Sequence, residues 1–211
     1  MIEIAEEIIR ICRKVELKGF VAATDGNISA RLPNGNILST PTSLSKGLVQ
    51  VDDLVELSID GKQIGGKRKP STEMKMHFFI YQQRNDIHAV VHCHPIYATG
   101  FAAAGIPLKK NVFPEVIVGF GDIPLAHYAT PSTEEVSESL RPFIKEHEAI
   151  LLANHGAVTF GKDLCDAYFK MEKVEQIAQT LFVAETLGGA KQLNNEQVAQ
   201  LQQLAKTTYR K

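Results

Sequence analysis

The sequence has few cysteines, no surplus of charge of either sign and no long apolar run. Its three cysteines are an odd number without paired spacing, so we expect no disulfide framework and a reducing, cytoplasmic environment. The formal net charge of −1 supplies no basic field, which argues against binding to nucleic acid or to an anionic membrane. Recognition of an anion must therefore be local.

Signals for membrane insertion are also missing. No stretch reaches the roughly 18 uncharged apolar residues of a spanning helix. The N-terminal MIEIAEEIIRICRK is acidic and amphipathic, unlike a signal peptide. With 211 residues, 44% hydrophobic and 22% charged, the chain has a globular composition. We expect one domain over residues 1–211.

The hydrophobic pattern predicts helices interspersed among short strands, hence a layered α/β domain. Turn residues between β-prone runs predict antiparallel strands from Val21 to Ile64, and apolar runs predict further strands at 88–94 and on both sides of His155. Two more short strands are expected within 115–128. Predicted helices cover 2–17, the segment after Ser71, 97–104, 133–147 and 163–187, with a helical tail after that.

Two histidines separated by one residue, His92 and His94, lie in the predicted strand 88–94. Alternate strand residues project to one face, so both imidazoles can bind one ion while Cys93 points the opposite way. Imidazole suits Zn²⁺, and catalytic zinc sites use three protein ligands plus an open position. The predicted third ligand is His155, within an Asn-His-Gly turn from which a histidine can emerge into a cleft.

A pair of histidines separated by one residue also occurs by chance, so the spacing alone does not establish a metal site. The other histidines are not predicted to be ligands. His88 shares the strand face of the pair and is expected to be a structural neighbour. His77, His127 and His147 are expected on helix surfaces or in loops.

A zinc enzyme also needs a group that moves protons, and Glu73 follows a turn rich in donors. The alternative is a structural acid at a helix N-terminus, with Ser71 or Thr72 as the cap. Residues 25–29 (DGNIS) and 40–43 (TPTS) are further turns rich in donors. With Ser71 and Thr72 they would offer a phosphate neutral donors, although each alone is typical of an ordinary turn.

Five motifs, in this order, resemble the class II aldolase/adducin family: G-N-x-S (26–29), T-P-T-S (40–43), K-P-S-T-E (69–73), H-C-H-P (92–95) and A-N-H-G (153–156). The resemblance spans nearly the whole chain and is closest to the L-fuculose-1-phosphate aldolase type. It implies an α/β fold with three α/β/α layers around a central, mostly antiparallel sheet. It also implies a homotetramer of C4 symmetry with active sites at subunit interfaces.

The resemblance assigns roles to individual residues. His92, His94 and His155 resemble the zinc ligands, and Glu73 resembles the catalytic acid/base. The residues that align with the phosphate-binding turns are Gly26, Asn27, Thr42, Ser43, Ser71 and Thr72.

Two positions depart from the family pattern. Ser43 stands where the family commonly has glycine, which alters the close backbone approach to phosphate. Phe113 stands where the fuculose-phosphate enzymes are expected to carry a proton-donating tyrosine. Tyr209 resembles another active-site tyrosine of those enzymes, and Tyr128 is a weaker substitute.

These features predict a zinc-dependent aldolase that reversibly cleaves a phosphorylated ketose, such as fuculose 1-phosphate, to dihydroxyacetone phosphate and an aldehyde. A dehydratase, decarboxylase or epimerase of the same family remains an alternative, as does a non-catalytic adducin-like interaction domain. Related epimerases usually carry Asp where this chain has Glu73, which favours the aldolase. Retention of the three histidines and of Glu73 argues against the non-catalytic role.

Overall fold

The computed structural model describes residues 2–108, 111–119, 121–205 and 207. Its strands are β1 (Asn27–Arg31), β2 (Ile37–Ser39), β3 (Val55–Leu57), β4 (Gln63–Gly65), β5 (Ala89–Cys93), β6 (Leu125–Ala126), β7 (Ala149–Leu152) and β8 (Gly156–Gly161). They form one sheet in the order β4-β3-β2-β1-β5-β8-β7-β6. Every neighbouring pair is antiparallel except β6 and β7, which are parallel.

Helices cover both faces of this sheet. They are α1 (Ile2–Leu17), α2 (Met74–Gln83), α3 (Ile96–Ala103), α4 (Pro114–Gly119), α5 (Glu134–Leu140), α6 (Leu164–Thr186) and α7 (Asn195–Leu204). Side chains of β5 alternate between two cores, so Val91 and Cys93 pack with α1, α3 and α6, whereas Val90 packs with α2 and α5. The predicted three-layer α/β/α fold with a mostly antiparallel sheet is confirmed.

Local sequence explains where the helices begin and end. The apolar stripe of α1 is buried, as its spacing predicts. The carboxylate of Asp163 caps α6 by accepting a hydrogen bond from the Asp166 amide at 2.7 Å. The predicted helix 133–147 is shorter, because Pro142 lacks the amide hydrogen that would extend α5.

One predicted strand is wrong. The apolar run after Pro114 forms the short helix α4, and only Leu125 and Ala126 of the segment 115–128 are in a strand. Valine and isoleucine favour strands, but proline at the first helical position has its φ angle already set for a helix. Among the described residues, no helix has the length and apolar character needed to cross a membrane.

Candidate active site

Strand β5 brings His92 to the centre of the site. Its side chain is fully buried, and its Nδ1–H donates to the carbonyl oxygen of Ala157 on β8 at 2.9 Å. A carbonyl oxygen can only accept, so the proton is on Nδ1 and the lone pair of Nε2 is free. This is the tautomer of a histidine that binds a metal through Nε2.

Three imidazoles face one another. Ring centroids are 4.9 Å apart for His92 and His94, 4.8 Å for His92 and His155, and 5.0 Å for His94 and His155. One nitrogen from each ring lies within 4.8 Å of the other two, so the three residues can hold a metal ion. The predicted ligand set is therefore brought together by the fold.

The Asn-His-Gly turn between β7 and β8 sets the direction of His155. Asn154 adopts a φ of 57°, a left-handed conformation that asparagine tolerates better than most residues. A Cβ atom at Gly156 would lie 2.6 Å from the carbonyl oxygen of Cys93. Glycine at 156 therefore permits the close approach of this turn to β5, and asparagine at 154 suits its left-handed backbone.

Glu73 turns its carboxylate toward these rings. Its Oε1 lies 3.1 Å from Nε2 of His155, and its Oε2 lies 3.4 Å from Nε2 of His92. Glu73 is the N-cap residue of α2, and its own side chain makes no capping hydrogen bond. The Ser71 hydroxyl accepts a hydrogen bond from the Glu73 amide at 3.3 Å.

The electrostatics keep the carboxylate ionised and His92 neutral. Burial acts to raise the pKa of Glu73, but the nearby imidazoles of His92 and His155 hold that pKa well below its usual value. Burial lowers the pKa of His92 to about 3. Neutral imidazoles beside a carboxylate fit a divalent cation, since imidazole nitrogen must be deprotonated to bind a metal.

The three donor-rich turns meet beside Glu73. The side-chain amide of Asn27 donates to Oε2 of Glu73 at 2.7 Å and to the Ser71 hydroxyl at 3.3 Å. Thr42 donates from its backbone to the carbonyl of Lys69 at 3.0 Å, which joins the second and third turns. A Cβ atom at Gly26 would lie 2.8 Å from the carbonyl oxygen of His92, so the first turn packs directly on β5.

Comparison with known proteins identifies the family of this chain. Residues 6–182 match the family model described as "Class II Aldolase and Adducin N-terminal domain". The chain belongs to the class II aldolase/adducin family. Relatives of this chain within the family are named for different activities.

One relative is an L-fuculose phosphate aldolase of Methanococcus maripaludis, 37% identical over 86% of this chain and 97% of its own length. Another is a 3-oxo-tetronate 4-phosphate decarboxylase of Escherichia coli K12, 32% identical over 84% of this chain and 85% of its own length. A solved structure of an L-fuculose 1-phosphate aldolase superposes with a TM-score of 0.89 at 29% identity, covering 97% of this chain and 96% of that one.

Two buried side chains near the family motifs escape the sequence prediction. His77, expected on a surface, is fully buried, and burial lowers its pKa to about 4. His77 is three residues after Met74 and four before Tyr81, and both of these are buried. This helical spacing is the sequence signal that places His77 on the buried face of α2. Lys46 is 1% exposed, and its Nζ donates to the carbonyls of Thr24 at 3.1 Å and Leu44 at 3.0 Å.

Of the remaining candidates, Tyr209 falls outside the described residues. Tyr128 is 59% exposed, and Phe113 is partly buried against the core beneath α6. Cys93 packs in that same core, where burial raises the pKa of its thiol, and so faces away from the histidines as predicted.

Of the other histidines, His88 and His127 are exposed. His88 precedes the first residue of β5, at the end of the strand away from His92. His147 lies 2.6 Å from a carboxylate oxygen of Asp122 and is partly buried. These three positions give no support for a ligand role.

Proposed function

We propose that this protein is a zinc-dependent aldolase that reversibly cleaves a phosphorylated ketose to dihydroxyacetone phosphate and an aldehyde. The observation that supports this most strongly is the convergence of His92, His94 and His155 with the carboxylate of Glu73 3.1 Å from one ring and 3.4 Å from another. Three imidazole ligands, with no thiolate among them, are a donor set typical of catalytic zinc.

A bound zinc ion would act as a Lewis acid, stabilising negative charge on the carbonyl and hydroxyl oxygens of the substrate. The protein supplies the proton transfer. Glu73 is ionised and within reach of the metal site, so it can take a proton from, or return it to, the carbon next to the substrate carbonyl. Asn27 holds one carboxylate oxygen at 2.7 Å, which limits the directions that the other can face.

The substrate phosphate is proposed to bind at the three turns beside Glu73. Their donors come from Gly26, Asn27, Thr42, Ser43, Ser71 and Thr72. Binding energy gained at the phosphate orients the reacting carbon without requiring chemistry from these residues. Lys46 adds a positive charge behind two of these turns, through its bonds to the Thr24 and Leu44 carbonyls.

A decarboxylase acting on a sugar-acid phosphate is the second candidate. The decarboxylase of Escherichia coli is similar over most of both chains. Phe113 has no hydroxyl group where the resemblance implies a proton-donating tyrosine. A decarboxylase does not need that donor, because release of carbon dioxide leaves no aldehyde oxygen to protonate. Both reactions create the same negative charge beside the metal, so the histidines and Glu73 suit either.

Product analysis separates these candidates. Zinc-loaded protein would be incubated with fuculose 1-phosphate, ribulose 1-phosphate and 3-oxo-tetronate 4-phosphate. The aldolase predicts dihydroxyacetone phosphate from a ketose phosphate, and the decarboxylase predicts carbon dioxide from the keto acid. Glu73→Gln is the matched control, because it keeps the shape of the side chain and removes the base. Absence of both products contradicts the enzymatic proposal, and absence of bound zinc as well favours an adducin-like interaction domain.

We also propose a cytoplasmic homotetramer with its active sites at subunit interfaces. Ile96 supports this arrangement, because it follows His94 by two residues and is 73% exposed beside the site. Tyr128 is a second large exposed side chain, 59% accessible. Sedimentation equilibrium would test the proposal, and a monomer at micromolar concentration would contradict it.

A further inference from the structure

A chain of hydrogen bonds runs from Glu73 into the protein interior. Asn27 Nδ2 lies 2.7 Å from Oε2 of Glu73, and Asn27 Oδ1 lies 2.6 Å from Nε2 of His77. The other nitrogen of His77, Nδ1, is 2.7 Å from the hydroxyl of Ser29, which is 2.8 Å from the hydroxyl of Tyr81. The four residues behind Glu73 are 2% exposed or less.

The residues of this hydrogen-bond chain come from one face of a helix and one face of a strand. His77 and Tyr81 of α2 follow its N-cap residue, Glu73, at intervals of four and therefore lie on one face of the helix. Asn27 and Ser29 are alternate residues of β1 and share one face of the sheet. The helix face packs on the strand face, so every link joins two elements of the core.

The chemistry of the groups fixes the direction of every bond. The carboxylate of Glu73 only accepts, so Asn27 must present its NH₂ to it and its oxygen to His77. His77 Nε2 must then carry the proton, which leaves Nδ1 as the acceptor. Ser29 therefore donates to Nδ1, and Tyr81 donates to Ser29. All four donors point toward Glu73.

We propose that His77 is a positioning residue, which holds the Asn27 amide in the one orientation that donates to Glu73. Without the Nε2–H of His77, the amide could rotate and present its oxygen to the carboxylate, which would repel it. Burial keeps the ring neutral by lowering its pKa to about 4, although the charge of Glu73 opposes this. A neutral ring can serve as donor and acceptor at once.

This inference rests on the proposed function, because Glu73 is the proton-transfer group there. It adds a requirement that the proposal alone does not contain: His77 must be in the Nε2–H tautomer. It also assigns the Asn27 amide primarily to Glu73, in addition to its place in the phosphate-binding turns.

The first experiment measures the tautomer without any substrate. Long-range ¹H–¹⁵N correlation spectra of zinc-loaded protein would be recorded near neutral pH, with His77→Gln used to assign the His77 signals. The expected result is a neutral ring protonated at Nε2. A ring protonated at Nδ1, or a doubly protonated ring, would overturn the proposal.

The second experiment measures proton transfer alone, as exchange of the C3 hydrogen of dihydroxyacetone phosphate for deuterium in D₂O. His77→Phe keeps a planar ring and loses both hydrogen bonds, so the exchange rate should fall about 10–100-fold, as for other supporting partners of catalytic groups. Zinc content should not change. His77→Gln, whose side-chain NH₂ can replace Nε2–H, should recover most of the lost rate.

His88→Phe is the matched control, since it makes the same substitution at an exposed histidine at the end of β5 away from His92 and should leave the exchange rate unchanged. Equal exchange rates in wild type and His77→Phe would refute the positioning role. Wild-type protein that exchanges no hydrogen would contradict the proposed function instead, while the spectrum would still decide the tautomer of His77.

Discussion

His92 donates its Nδ1–H to the carbonyl oxygen of Ala157 at 2.9 Å, across the antiparallel pair of β5 and β8. The strand that follows His155 thus orients the ring of another proposed ligand. The pairing of β5 with β8 and the turn before β8 therefore set the positions of the three imidazoles.

Removal of one proposed ligand should abolish stable zinc binding. We expect His155→Ala to lose stoichiometric zinc after dialysis, because two imidazoles bind the ion much more weakly than three. Metal analysis by mass spectrometry would measure this. His88→Ala is the matched control, since that histidine is exposed at the other end of β5. Retention of full zinc content by His155→Ala would exclude it as a ligand.

Ser43 adopts a φ of 56°, a conformation that is unfavourable for a residue with a Cβ atom. We expect Ser43→Gly to increase the free energy of unfolding by about 1 kcal/mol, since glycine removes this strain but adds entropy to the unfolded chain. Ser43→Ala keeps the Cβ atom and loses only the hydroxyl, so it should not stabilise the fold. Urea denaturation would compare the three proteins. Equal stabilisation by alanine would show that backbone strain is not the cause.

Lys46 joins two turns through its bonds to the carbonyls of Thr24 and Leu44. We expect Lys46→Met to lower the free energy of unfolding by about 1–3 kcal/mol, because both carbonyls lose a partner. It should also raise KM for phosphorylated substrates more than it lowers kcat. Lys67→Met, at an exposed position, is the control for loss of one positive charge. Unchanged KM in Lys46→Met would remove Lys46 from the phosphate site.

His77 should make stability depend on pH. Its pKa is about 4 in the folded protein and 6.5 in the reference state, so the unfolded chain binds more protons between these values. The contribution of the neutral His77 ring to the free energy of unfolding is fully present above about pH 6.5 and is lost as the pH falls toward 4. His77→Gln should therefore flatten the slope of unfolding free energy against pH, by up to about 1.4 kcal/mol per pH unit. Parallel slopes for the two proteins between pH 4.5 and 6 would contradict this.

Much of the fold follows from short-range patterns in the sequence. The apolar stripe of α1 and the alternation around His92 and Cys93 are local, and the structure has both. The strand prediction for the run after Pro114 is wrong, because its β-branched residues favour a strand whereas proline at the first helical position favours the start of a helix.

The proposed site could be predicted less completely. The five family motifs name the residues that the fold brings together, although they do not test the role of any one. His77 and Lys46 were missed because polar side chains are usually exposed, and only tertiary contacts supply the partners that make their burial favourable. The hydrogen bonds of His77 to β1 residues join segments about 50 positions apart, as the separations of 48 and 50 show.

Alternation along β5 separates the proposed ligand from part of the core that stabilises the strand. His92 shares the parity of Val90, which packs with α2, whereas Val91 and Cys93 face the core of α1 and α6. Substitutions that repack the core of α1 and α6 can therefore change the stability of the protein from the face of β5 opposite His92.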